Sequence, residues 1–360
     1  MRNQNMDVIR GLAVLGLMYM NVYSFGLFEL GYVSQINAPF SDQVIQWLNL
    51  VFIDGRFRTL FCLLFGAGLY LQWQYFSLIQ PLKKRLKVLA ICGLLHGFLL
   101  WAGDILFIYA CAGWVVLNYL DAENDLLLKR SWQFIAMGSV ISFIVTVIEP
   151  SVIVYRDTSD FIMRYEENRA SIATMVLDNS IMFAIMLLAV PLITMWMAAG
   201  LMLLGVYSYK QKIFEKGITQ SQFRKMILLT VLATAARIAV EFQLAGFMSD
   251  ALKEPINWLA ALAMAVLIIH SIIKINGRLN SVFSILQQVG RLAFTLYIMQ
   301  TILLLLFFKV FYPEWVLTFN RIDYCMVVTV LVLLQVVFSV VYRHCFSQGP
   351  LEYCWRKLAR

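Results

Sequence analysis

A histidine and an aspartate lie inside one long apolar segment of this sequence. Between Val88 and Leu120, His96 and Asp104 are the only acidic or basic side chains. Such a group at membrane depth costs about 3 kcal/mol or more, so it marks a candidate functional site. A neutral imidazole accepts a proton, which suits general-base chemistry. We predict that His96 is the catalytic base and that Asp104 orients the substrate or tunes the histidine. The alternative is a structural histidine bonded to a neighbouring helix.

The same segment must turn between these two residues. As one helix it would be about 50 Å long, whereas the hydrocarbon core of a bilayer is about 30 Å thick. Ala102 and Gly103, just before Asp104, are the expected turn. On a continuous helix, eight residues would leave His96 and Asp104 about 80° apart. Spacing alone therefore does not predict a direct hydrogen bond, although both side chains could line one cavity.

Further polar side chains in apolar segments are candidates for an acceptor site or a polar pathway. Arg237 and Glu241 are four residues apart, so they share a helix face and can neutralise each other. Arg56 and Arg58 could hold an anionic substrate, or their charged ends could extend to lipid headgroups. Asn21 lies deeper in the first apolar segment, where an amide more often joins helices than reacts.

Basic residues near the predicted cytoplasmic side are candidates for binding phosphate. Asp7 and Arg10 are three residues apart and can form an interfacial pair. The candidate donor- or phosphate-binding residues are Arg10, Arg291, Lys83, Lys84 and Arg85. No cluster of cysteines and histidines has metal-ligand spacing, so we predict no metal site.

Composition indicates an all-α polytopic membrane protein. Apolar residues make up 61% of the chain, charged residues only 14%, and the mean hydropathy is +0.76. Average soluble domains are about 25% charged. We predict one transmembrane domain over residues 1–360 with about ten helices. The predicted spans are residues 8–28, 57–75, 87–103, 105–120, 132–150, 181–207, 226–245, 256–273, 290–311 and 324–342.

The distribution of positive charge predicts the orientation. With ten spans and a cytoplasmic N-terminus, every large basic cluster falls in a cytoplasmic loop or tail, as the positive-inside rule requires. Both termini are then cytoplasmic. The net charge of +8 is explained by these loops, so we expect no nucleic-acid partner. We expect the first apolar segment to be a retained span, because no cleavage site follows it.

Several sequence blocks resemble the YeiB-type family of bacterial inner-membrane proteins, a domain of unknown function. The blocks are 7–16 with Asn21, 58–68, 95–97 with 101–106, 290–300, and 349–356. One departure is Leu296, where the family usually has asparagine. The resemblance implies a multi-pass protein of the bacterial inner membrane.

The Asp-x-x-Arg-Gly opening at Asp7 is also similar to that of membrane acyltransferases of the heparan glucosaminide N-acetyltransferase and acyltransferase-3 types. This similarity implies transfer of an acyl group from a cytoplasmic acyl-CoA-like donor to a hydroxyl or amine acceptor.

Three functional hypotheses follow. The first is such an acyltransferase, with acyl-CoA as co-substrate and no tightly bound cofactor. The second is a transporter of a small metabolite, with His96 and Asp104 in its substrate or proton pathway. The third is a non-catalytic lipid- or partner-binding membrane protein. The expected partners are the lipid bilayer and a small-molecule, lipid or sugar substrate. The chain could also form a homodimer.

Overall fold

The computed structural model describes residues 3–28, 30–148, 154–189, 193–242, 247–275 and 280–359, and within them the regular structure is helical. The α-helices, in chain order, are α1 (Gln4–Asn21), α2 (Phe40–Phe52), α3 (Arg56–Phe76), α4 (Gln80–Leu99), α5 (Leu106–Leu117), α6 (Asn124–Ile148), α7 (Ser159–Arg169), α8 (Ile172–Ala189), α9 (Met195–Lys210), α10 (Ile213–Lys216), α11 (Gln220–Phe242), α12 (Phe247–Ile275), α13 (Asn280–Arg291), α14 (Ala293–Leu305), α15 (Trp315–Thr318), α16 (Arg321–Cys345) and α17 (Pro350–Leu358).

Six of the described helical segments are long and apolar enough to cross a membrane. They are Gln4–Phe25, Asn124–Ile148, Ile172–Ala189, Asp250–Ile275, Ala293–Phe311 and Arg321–Cys345. The predicted class, a helical membrane protein with several spans, agrees with this finding. The predicted count of ten spans is larger than these six. Helix α5, for example, lies in the predicted span 105–120 but has only 12 residues, so it is about 18 Å long and shorter than a hydrocarbon core.

The predicted span 181–207 coincides with the second half of α8, described as far as Ala189, and with most of α9 (Met195–Lys210). Residues 190–192 between them lie outside the described residues.

Close backbone contact between α1 and α13 positions two of the candidate arginines. A Cβ atom at Gly290 would lie 1.9 Å from the carbonyl oxygen of Asp7, and one at Gly11 would lie 2.1 Å from that of Leu286. Only glycine fits at these two positions, so the helices cross without intervening side chains. This crossing brings Arg10 of α1 and Arg291 of α13 to the same part of the molecule.

The turn between α4 and α5 is held by a side chain from α8. Asn179 donates through Nδ2 to the carbonyl oxygens of Gly97 and Phe98. Its Oδ1 accepts from the backbone N–H of Ala102 at 2.8 Å. The side-chain amide of Asn179 thus bonds two of the last carbonyl groups of α4, which a helix end leaves without partners. It also bonds the backbone N–H of Ala102 in the turn. The turn predicted at residues 102–104 is present, and Asp104 lies just before α5.

Candidate functional site

His96 forms hydrogen bonds through both of its ring nitrogens in the interior of the protein. Nδ1 lies 2.9 Å from Oδ1 of Asp104, and Nε2 lies 3.0 Å from Oγ1 of Thr301 on α14. The His96 and Asp104 side chains are 2% and 0% exposed. A carboxylate only accepts hydrogen bonds, so Nδ1 carries a hydrogen, and in the neutral imidazole Nε2 then accepts from Thr301. Asp104, His96 and Thr301 therefore have the order and polarity of an acid–histidine–hydroxyl triad.

The direct bond between His96 and Asp104 could not be predicted from their spacing alone. On one continuous helix the two side chains would be about 80° apart. In the structure α4 ends at Leu99, and the chain reverses before α5 begins at Leu106. Asp104 is thus carried back toward α4, and the helical angle between the two residues no longer applies.

The position of Asp104 is fixed by its neighbours. Its second oxygen, Oδ2, accepts the backbone N–H of Phe107 at 2.8 Å, which caps the start of α5. On the other side, a Cβ atom at Gly93 would lie 2.7 Å from this oxygen and 2.4 Å from the nitrogen of Phe107. Gly93 therefore allows α4 to approach α5 closely enough for the triad to form.

Tyr297 covers one side of the histidine. Its ring centroid lies 5.2 Å from that of His96, and its hydroxyl accepts the backbone N–H of Ile105 at 3.2 Å. Tyr297 precedes Thr301 by one helical turn, and Ile105 directly follows Asp104. Both residues are therefore part of the wall around the triad.

A cavity of about 370 Å³ reaches this wall from the basic side of the molecule. We call it the arginine cavity, because Arg10, Arg85, Arg291 and Arg356 line it. The remainder of its lining is mostly apolar, and Ile105, Tyr109 and Tyr297 also line it. The cavity thus combines several positive charges with an apolar passage that reaches the wall of the triad.

The charges of the arginine cavity favour an anionic ligand. The carboxylate of Asp7 lies 2.9 Å from Arg10 and 3.6 Å from Arg291, so it offsets part of their charge. Burial lowers the pKa of the Arg85 guanidinium, and repulsion from the Arg356 charge lowers it further. Phosphate is a good partner for such a group of guanidinium donors.

The C-terminal helix α17 completes the arginine cavity. Glu352 accepts the backbone N–H groups of Phe294 and Thr295 at the start of α14, at 2.9 and 3.2 Å. Trp355 donates from Nε1 to the carbonyl oxygen of Arg85 at 3.1 Å. Because these bonds join α17 to α14 and α4, Arg356 is held at the cavity wall.

A second pocket lies beyond the triad, further along α4 and α14. This pocket, of about 960 Å³, is lined by the end of α4, by α7 and α8, and by Leu305 of α14. We call it the α7–α8 pocket. Trp101 stacks on Phe25 at its wall with ring centroids 4.9 Å apart. Its polar lining residues include Arg164, Glu167, Asn168, Asp178 and Lys309. The pocket therefore has aromatic surface together with charges of both signs.

The candidate acceptor-side arginines have different surroundings. Arg56 is fully buried and donates to the backbone oxygens of Val51 and Asp54 and to Asn257, so it serves the fold. The guanidinium of Arg58 lies 4.2 Å from the ring centroid of Trp258. Arg58 and Asp104 both line a separate cavity of about 160 Å³, so Arg58 lies close to the triad.

The remaining candidates do not line the cavities described above. Arg237 donates to Glu241 at 2.7 Å, and Lys253 lies 3.3 Å from the same carboxylate, which gives a charge cluster between α11 and α12. Asn21 is the last residue of α1. Lys83 and Lys84 are exposed in the first turn of α4.

The structure adds functional candidates that sequence reasoning did not nominate. Thr301 and Tyr297 complete the triad and its wall, while Glu352 and Arg356 complete the arginine cavity. Tyr297, Glu352 and Arg356 lie in blocks that carried the family resemblance, and Thr301 directly follows one of them. Those blocks were the available signal, but nothing in them shows which polar groups meet.

Comparisons with known proteins agree with that resemblance. The chain is 27% identical over 390 residues to "Uncharacterized protein YeiB" of Escherichia coli, covering 99% of this chain and 96% of that protein. It is 26% identical over 372 residues to an "Uncharacterized 39.9 kDa protein in amylase 3'region" of Bacillus acidopullulyticus, covering 98% and 92%. For "Uncharacterized protein YxaH" of Bacillus subtilis, the identity is 24% over 395 residues, again covering 98% and 92%.

The family model that matches covers the C-terminal part of the chain. Among solved structures, none matches this chain. Residues 208–360, which include Arg291, Thr301 and α17, match the family described as "Protein of unknown function (DUF418)". The predicted resemblance is thus confirmed: the chain is similar to YeiB over nearly its whole length and carries a DUF418 match in its C-terminal part.

Proposed function

We propose that this protein is a membrane acyltransferase. The observation that carries the proposal is the buried hydrogen-bonded series Asp104–His96–Thr301, which lies behind the wall that Ile105 and Tyr297 form at the arginine cavity. An acid–histidine–hydroxyl series moves protons during acyl transfer in several unrelated protein folds. In this arrangement Asp104 holds His96 in the tautomer whose Nε2 accepts a proton.

The acyl donor would place its phosphates among Arg10, Arg85, Arg291 and Arg356. Arg85 and His96 are eleven residues apart on α4, or about 16 Å along the helix axis. A donor bound at the arginines must therefore carry its acyl carbon a comparable distance from its phosphates. Acyl-CoA meets this requirement, because a slender arm separates its phosphates from the thioester. The acceptor would be a hydroxyl or amine compound, lipid or sugar, that reaches the triad from the α7–α8 side.

The proposal includes the number of spans and the orientation in the membrane that the sequence predicts. About ten spans, with both termini in the cytoplasm of a bacterial inner membrane, place the arginine cavity on the cytoplasmic side, where acyl-CoA is made. The α7–α8 pocket then lies on the opposite side. The charge distribution in the loops supports this orientation.

The test combines binding with turnover. Calorimetry of the purified protein in detergent would measure acetyl-CoA and octanoyl-CoA binding to wild type, Arg291→Ala and Arg224→Ala. Arg224 is exposed on α11, outside the cavity, and serves as the control. We expect saturable binding that Arg291→Ala weakens about tenfold or more, since a hydrogen bond to a charged group contributes about 1.5–3 kcal/mol. Arg224→Ala should bind as wild type does.

The turnover experiment follows release of free CoA with candidate acceptors for wild type and His96→Gln. We expect His96→Gln to remain folded and to lose transfer. Failure of every acyl-CoA to bind, together with flux of a chemically unchanged solute across vesicles, would reject the enzyme in favour of the transporter.

A further inference from the structure

Thr301 lies between the two large cavities on one face of α14. Tyr297, four residues before it, lines the arginine cavity, and Leu305, four residues after it, lines the α7–α8 pocket. Residues four apart share a helix face and are about 6 Å apart along the axis. The Thr301 hydroxyl is therefore about one helical turn from a residue that lines each cavity.

The basic nitrogen of His96 is directed at Thr301. Asp104 accepts the hydrogen on Nδ1, so the lone pair on Nε2 faces Oγ1 of Thr301 at 3.0 Å. A substrate hydroxyl could reach this lone pair only by displacing Thr301. The group that His96 is placed to deprotonate is thus a side chain of the protein, which is how a triad activates its nucleophile.

We propose that Thr301 is a catalytic nucleophile that carries the acyl group as an ester between the two cavities. The proposal rests on the acyl-transfer function. In the first step Oγ1 of Thr301 bonds to the acyl carbon of a thioester and the carbon–sulfur bond breaks. The Oγ1 proton passes to Nε2 of His96 and then to the departing thiolate.

The second step returns Thr301 to its starting state. An acceptor hydroxyl or amine attacks the ester carbon, and the bond from that carbon to Oγ1 breaks. His96 takes the acceptor proton at Nε2 and returns it to Oγ1. Each substrate then approaches from its own cavity, so donor and acceptor need not meet.

Tyr297 is placed to assist both steps. Its hydroxyl oxygen accepts the N–H of Ile105, which leaves its own hydrogen to donate. A hydrogen bond from this hydroxyl to the carbonyl oxygen of the acyl group would stabilise the negative charge that develops there.

The test is detection of the acylated threonine. Wild type, Thr301→Ser and Thr301→Val would be incubated with acetyl-CoA without acceptor, digested and analysed by mass spectrometry. We expect one acetyl group at position 301 in wild type and Thr301→Ser, and none in Thr301→Val. Transfer by Thr301→Val should fall at least about a thousandfold. The control, Thr230→Val, removes a hydroxyl that bonds a carbonyl within α11 and should behave as wild type.

Two results would reject the proposal that Thr301 is the nucleophile. If Thr301→Val transfers at the wild-type rate while His96→Gln does not, acyl transfer stands without Thr301 as its carrier. If no acyl-CoA is turned over, p-nitrophenyl acetate tests the hydroxyl independently of the arginine cavity. Labelling of position 301 by this ester would support Thr301, whereas its absence would reject it.

Discussion

At the scale of single residues, the central feature is a polar series whose hydrogen bonds are made inside an apolar protein. An unsatisfied polar group in such surroundings costs about 1–3 kcal/mol, more if it is charged. Asp104 avoids this cost by accepting from His96 and from the N–H of Phe107, while His96 also accepts from Thr301. The same bonds fix the tautomer of His96, so stability and chemistry depend on the same contacts.

Asp104→Asn tests the role of the carboxylate at this scale. An amide can donate as well as accept, so it can bond the tautomer of His96 whose hydrogen is on Nε2. That tautomer cannot accept the Thr301 proton. We expect acyl transfer to fall by about four orders of magnitude, with a detergent melting temperature near that of wild type. A steady-state rate close to wild type would contradict the role given to Asp104.

Gly93→Ala tests the close approach of α4 and α5. Its Cβ atom would meet the nitrogen of Phe107 at 2.4 Å and Oδ2 of Asp104 at 2.7 Å. We expect a loss of about 1–3 kcal/mol of stability from overpacking, together with reduced transfer. Gly68→Ala is the matched control for stability alone, because no atom lies within 4 Å of its added Cβ atom but Gly68 lines the arginine cavity. Equal thermal unfolding curves for the two variants would show that this contact is not tight.

At the scale of elements, α14 connects all parts of the proposed mechanism. Its first turn binds Glu352 of α17, its middle carries Tyr297 and Thr301, and its last turn borders the α7–α8 pocket. The start of a helix has free N–H groups and a partial positive charge, so the Glu352 carboxylate suits this position. Docking of α17 therefore stabilises α14 and closes the arginine cavity together.

Glu352→Gln tests this coupling. Losing the negative charge at the start of α14 should cost about 1 kcal/mol, and α17 should dock less firmly. We expect a lower melting temperature and weaker acyl-CoA binding in calorimetry, because α17 holds Arg356 at the cavity wall. Glu166→Gln, on the exposed side of α7, should leave both quantities unchanged. Wild-type binding by Glu352→Gln would show that α17 does not shape the donor site.

At the scale of the whole molecule, the described structure places two cavities on either side of one buried triad. On α1, Arg10 and Leu17 both line the arginine cavity and are seven residues apart, or about 10 Å along the axis. The triad lies beyond this cavity, and the α7–α8 pocket lies beyond the triad. A protein with this order of parts can keep donor and acceptor on separate sides.

Fusion reporters test the orientation that this proposal needs. With ten spans and a cytoplasmic N-terminus, the C-terminus after α17 is also cytoplasmic. We expect a C-terminal green fluorescent protein fusion to fluoresce and a C-terminal alkaline phosphatase fusion to be inactive. Because the phosphatase folds only outside the cytoplasm, the opposite pattern would place the C-terminus, and with it the arginine cavity that Arg356 lines, away from cytoplasmic acyl-CoA.

The family resemblance and the membrane-protein class could be predicted from the sequence. Lipid requires long apolar helices whose backbone groups bond internally, and this leaves a clear pattern in composition. The turn before Asp104 was also predictable, because the segment is too long for one span. The pairing of Asp7 with Arg10 followed from local spacing and is present at 2.9 Å.

The sequence by itself thus determined an apolar helical protein with a histidine and an aspartate in its interior, because these properties depend on composition and on distances along one segment. Only the tertiary structure decided which polar groups meet. Thr301 is 205 positions from His96, and Arg356 lies more than 250 positions from Arg85. Helix periodicity describes one helix at a time, whereas these contacts depend on how helices cross. Those crossings are set by close packing at positions such as Gly93 and Gly290.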